Sequence, residues 1–162
     1  MKQKLLAILA AVLLLTAEAL AAGGLELKSL AEIEVSVKTA KGETELRRVE
    51  AAKANVAPGD AVIFTTRYLN KGDKPATGVV LTNPIPEHML YLDGSAEGSG
   101  TRIDFSVDGG RSYGDPGKLT VKEADGRQRP AVAADYTQIR WTLAGAVAPA
   151  AAGSVSFRAK VK

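Results

Sequence analysis

The chain has 162 residues, of which 46% are hydrophobic and 24% charged, with a formal net charge of +3 at pH 7. It contains no cysteine and one histidine. That excludes a disulfide framework, a thiolate metal site, a cysteine nucleophile and a poly-histidine metal centre, and the apolar fraction is too high for a disordered chain.

The first predicted element is an export signal. Met1-Lys2-Gln3-Lys4 is a short cationic start, Leu5 to Leu15 is an unbroken apolar run of 11 residues, and Ala19-Leu20-Ala21 fits the small-residue rule for signal peptidase. Residues 1–21 therefore read as a signal peptide that forms a helix and is cut after Ala21. The alternative is a retained anchor. Eleven helical residues rise roughly 16 Å at about 1.5 Å each, about half of the bilayer core. Lengthening the run to Ala22 brings in Thr16 and Glu18 but gives nearly enough length to span, which keeps an uncleaved anchor as the alternative. Cleavage removes Lys2, Lys4 and Glu18 and so lowers the net charge by one. Residues 22–162 remain as one domain, long enough to bury a core without disulfides. The implied location is periplasmic or extracellular, with no membrane contact once the signal is cut.

From residue 24 onward the hydrophobic period is two. Leu25, Leu27, Ala31, Ile33, Val35 and Val37 alternate with polar residues, the pattern of a half-buried strand. Thr39-Ala40-Lys41-Gly42 reads as a turn and Glu43 to Val56 as a return strand, giving an N-terminal hairpin over about 24–50. Arg47-Arg48 spoils its alternation, which predicts a bulge or an exposed edge. After the turn Ala57-Pro58-Gly59-Asp60 comes a strand over 61–69, and after Asn70 to Pro75 another over 77–83, ended by Pro84-Ile85-Pro86. Met89 to Leu92 is a short strand. Ile103, Phe105 and Val107 alternate into the hairpin turn Asp108-Gly109-Gly110. Leu119 to Val121 is short, Glu123 to Ala134 reads as a polar loop, and Ile139, Trp141 and Leu143 alternate again. The chain closes on a two-faced strand over 154–162 carrying Val155, Phe157, Ala159 and Val161. Eight or nine short strands with frequent turns predict an all-β, immunoglobulin-like antiparallel β-sandwich, with an all-β barrel as the runner-up. Lys160 and Lys162 on the last strand suggest a protected sheet edge.

The order Val56-Ala57-Pro58-Gly59-Asp60, Phe64 to Tyr68, Asn70-Lys71-Gly72-Asp73 and Ala76 to Pro86 resembles the conserved repeat domain of bacterial surface proteins catalogued as "domain of unknown function eleven". The closing segment Val147-Ala148-Pro149 to Val161 is similar to that family's last loop and strand. The resemblance covers about residues 50–162. Asn83 stands where the family usually has aspartate, there is one copy instead of an array, and residues 98–135 are longer than the family's version. The resemblance implies an immunoglobulin-like sandwich in or outside the bacterial cell envelope and implies no catalytic site. Within the longer segment, Ser106-Val107-Asp108-Gly109-Gly110-Arg111-Ser112-Tyr113 resembles an Asp-box. There Ser106, Asp108, Gly110 and Tyr113 are expected to form a self-capped structural hairpin.

No catalytic constellation is expected. His88 is near Glu87 and Asp93 in sequence, but nothing brings a nucleophile to it. The aspartates follow no EF-hand spacing, and Asp108-Gly109-Gly110 and Asp115-Pro116-Gly117 read as turns before they read as calcium loops. No cofactor and no metal site is expected. Phe64, Phe105, Trp141 and Phe157 keep the phase of the aliphatics and are expected in the core. Tyr113 and Tyr136 lie in loop-like segments and are the candidate ligand-contact residues, which supports an alternative reading as a glycan-binding module. Lysine and arginine are scattered, so nucleic acid is not an expected partner. The expected partners are other envelope or extracellular proteins, or further copies of the chain through edge strands.

Overall fold

The computed structural model describes residues 24–162; the expected signal segment, 1–21, lies outside them. The described chain is all-β, with eleven strands. These are β1 (Leu25–Lys38), β2 (Thr44–Glu50), β3 (Ala61–Asn70), β4 (Val80–Pro84), β5 (Met89–Tyr91), β6 (Glu97–Gly98), β7 (Thr101–Ser106), β8 (Thr120–Lys122), β9 (Gln128–Pro130), β10 (Gln138–Leu143) and β11 (Ala152–Val161). The larger sheet runs β2-β1-β3-β11-β5, with β6 also on β11; a second sheet runs β4-β10-β7; β8 and β9 form a separate ribbon. Every pairing is antiparallel.

β1 serves two partners in turn. Leu25 to Ile33 pairs with β3, and Glu32 to Lys38 pairs with β2. β1 and β2 therefore run past the start of β3 as a two-stranded ribbon. The register between them is continuous through Arg47 and Arg48, so the broken alternation there marks exposure and not a bulge.

Alternation decides what is buried. Val62, Phe64 and Thr66 of β3 share a face with Val155, Phe157 and Ala159 of β11. Leu81 and Asn83 of β4, Ile139 and Trp141 of β10 and Phe105 of β7 fill the corresponding face of the smaller sheet. The apolar members of the two sets belong to one core. Phe64 and Phe157 stack at 4.9 Å within the larger sheet, and Trp141 reaches Phe157 from the smaller one at 6.3 Å. Each large apolar side chain buried in this way contributes roughly 1.5–3 kcal/mol. Trp141 also lies against Gly98, where a β-carbon would sit 2.9 Å from Trp141 Cδ1. The expectation of a buried Phe64, Phe105, Trp141 and Phe157 agrees with their exposures of 7%, 5%, 0% and 1%.

Two sequence expectations are corrected. The last strand is not an edge: β11 lies between β3 and β5. Lys160 pairs with Ala61 on one side and Leu90 on the other, so its side chain leaves through the sheet's face. The stretch 123–134 is not all loop either. Gln128 to Pro130 forms β9, paired with β8. That ribbon is mostly exposed, so it carries no apolar alternation to betray it.

Candidate functional site

The most highly organised polar region is the hairpin after β7. Ser106 is fully buried. Its hydroxyl donates to Asp108 Oδ1 at 2.7 Å and accepts from the Gly110 amide at 2.9 Å. Asp108 in turn accepts from the Ser112 amide at 3.0 Å through Oδ1, and from the Ser112 hydroxyl at 2.5 Å through Oδ2. The bonds from the Ser112 hydroxyl and amide, followed by that from Ser106, hold the Asp108 carboxyl far below the usual carboxylate range. Gly109 and Gly110 turn the chain at φ +74° and +89°, a region side chains disfavour. The turn closes where Phe105 and Gly114 exchange backbone hydrogen bonds. Thr137 ties it to the chain entering β10, because its hydroxyl accepts from the Gly109 amide and donates to the Ser106 carbonyl.

The hairpin carries Tyr113 onto the outer face of the smaller sheet. The Tyr113 hydroxyl donates to Gln138 Oε1 at 2.5 Å, and the Arg140 guanidinium lies over its ring at 4.3 Å from the centroid. Arg140 also bonds Asp104 at 3.0 Å, and Arg102 reaches the same Asp104 oxygen at 2.8 Å. Burial pushes the Asp104 carboxyl up, but the two guanidinium groups outweigh it and hold it below its ordinary value. Tyr113 is half-buried, and one face of its ring is covered by Arg140.

Tyr136 is a correction. Its ring is not offered to a ligand but sits in the core at 7% exposure, 4.5 Å from Phe105 and 6.0 Å from Tyr91. It lies two residues before β10, directly after the short 3-10 turn Ala133–Asp135. Asp135 fixes that turn by accepting from the Val132 amide and two bonds from Arg129. Arg129 holds the Asp135 carboxyl below its ordinary value.

His88 is exposed at the far end of the larger sheet, where its carbonyl accepts the Lys162 amide. Among the described residues no three His, Asp or Glu side chains are placed to hold a metal ion. A shallow depression on the larger sheet is lined by Glu26, Lys28, Arg67, Tyr68 and Ser154. Its charges have both signs, so it selects no ligand charge. Sequence reasoning missed Arg140 and Gln138 and the pairing of Arg140 with Asp104. They meet only through the β7–β10 register, in which Asp104 lies opposite Arg140 and Ser106 opposite Gln138.

Comparison of the chain with protein-family models, with curated proteins and with solved structures finds no match.

Proposed function

We propose that the chain is an exported, non-catalytic β-sandwich module, immunoglobulin-like in architecture, with a structural or protein-interaction role in the bacterial cell envelope. The sandwich reading is supported by two antiparallel sheets whose buried faces feed one core. Export is supported by the cationic and apolar signal pattern of residues 1–21. The likeness to the "domain of unknown function eleven" repeat supports the bacterial envelope.

The observation that carries the non-catalytic reading is how the acidic groups are used. Asp104 is held by Arg102 and Arg140, Asp108 by Ser106 and Ser112, and Asp135 by Arg129. All three carboxyls are held in the charged state. Acid–base catalysis wants a group poised near the working pH and facing a substrate. These carboxylates are spent on holding loops and strands in place. Glycan binding by stacked rings is not favoured, because Tyr136 is in the core and Tyr113 already has a cation on one face.

The test is cross-linking in the native host followed by fractionation. The proposal expects adducts with envelope or extracellular proteins in the exported fraction. A chain confined to the cytosol contradicts it.

A further inference from the structure

β2 is the last strand of the larger sheet; among the described residues no strand lies beyond it. Residues 44–48 are all exposed, and Leu46, at 66%, is the most exposed large apolar side chain among the described residues. The β1–β2 turn fixes which backbone groups face outward. The Thr39 amide donates to the Glu43 carbonyl and the Gly42 amide to the Thr39 carbonyl, both at 2.9 Å, with Gly42 at φ +81°. This is the three-residue hairpin turn with a glycine bulge. Hydrogen-bonded pairs in an antiparallel ladder recur at every second residue. Counting from Thr39–Glu43, the bonded pairs are Val37–Glu45 and Val35–Arg47. The N–H and C=O groups of Thr44, Leu46 and Arg48 therefore point away from β1, toward the open edge. An incoming strand has to bond those three residues.

We propose that the incoming strand is β2 of a second copy of this chain, antiparallel and related by a twofold axis at Leu46. The proposal rests on the interaction-module reading and deepens it by naming the partner. The sequence Thr44-Glu45-Leu46-Arg47-Arg48 selects the register. With Leu46 opposite Leu46, every outward group meets an outward group, and Glu45 faces Arg47 of the second copy on both sides of the axis. A slip of one residue sets bonding groups against non-bonding ones. A slip of two sets Arg47 opposite Arg47, or Glu45 opposite Glu45, and like charges directly opposite destabilise a pair. One register therefore satisfies both backbone and charge. The interface is the same patch on both copies, so it closes as a dimer and does not grow into a fibre.

The test is sedimentation of the exported chain over a concentration series. Wild type is expected to rise from monomer toward twice the monomer mass. Leu46→Pro is expected to remain monomeric with an unchanged melting transition, since it removes only an outward-facing donor. Glu45→Arg and Arg47→Glu each set like charges opposite one another twice, and each is expected to weaken association by about tenfold. The double swap Glu45→Arg with Arg47→Glu restores opposite charges and is expected to recover wild-type association. A wild-type chain that is monomeric throughout, or a double swap no better than the single swaps, overturns the proposal. A monomer found in the exported fraction with envelope adducts would overturn β2 pairing alone, whereas a cytosolic chain would overturn the envelope reading itself.

Discussion

Asn83 of β4 and Thr66 of β3 are joined through the interior of the protein. The Asn83 amide donates to Thr66 Oγ1 at 2.9 Å, and the Thr66 hydroxyl lies 3.2 Å from Asn83 Oδ1. Both side chains are buried. They form a polar link between the two sheets in an otherwise apolar layer. Thr66→Val keeps the shape but strands the Asn83 amide, and is expected to cost about 1–3 kcal/mol in urea unfolding. Thr66→Val combined with Asn83→Leu removes both partners and is expected to cost less than the two single changes added together. Additive losses would show that the link does not couple the sheets.

The Asp108 hairpin predicts acid sensitivity. A carboxyl held low in the folded chain binds protons less readily than in the unfolded chain, so falling pH favours unfolding. Asp108 does this most strongly, and Asp104, Asp125, Asp135 and Glu34 are shifted the same way. Stability from these groups is complete above the ordinary carboxylate range, near about 4, and is lost below it. Asp108→Asn is expected to be less stable than wild type at neutral pH. That gap is expected to close progressively as the pH falls below about 4. A gap that stays constant down to strong acid would contradict the assigned role of the carboxylate.

The two loop tyrosines separate cleanly. Tyr136→Ala empties a site among Phe105, Tyr91 and the core, and is expected to cost about 3–5 kcal/mol. Tyr113→Ala removes a half-buried plate beneath Arg140 and is expected to cost much less, with about 0.5–1 kcal/mol from the cation–ring contact itself. Thermal unfolding of both variants checks the order. The reverse order would mean that Tyr113, and not Tyr136, is the core ring.

Local pattern carried some of this fold and not the rest, for physical reasons. Strict alternation marked Phe157 and Trp141 as core because one face of each strand is buried and the other is wet. The same alternation says nothing about which strands are neighbours. Lys160 and Lys162 looked like edge protection, yet β11 is flanked on both sides, and only long-range pairing shows that. The Asp104–Arg140 pair was illegible because 36 residues separate two side chains that one cross-strand register brings to 3.0 Å. The Asp108 hairpin was the most legible polar feature because its bonds are local, spanning Ser106 to Ser112.

Export of this module is a proposal that the state of the native chain tests most directly. Fractionation of the host, followed by mass spectrometry of the recovered protein, reads both its location and its first residue. The account predicts a periplasmic or extracellular chain that begins at residue 22, within a few residues. An intact chain starting at Met1 and recovered from the cytosol would contradict it.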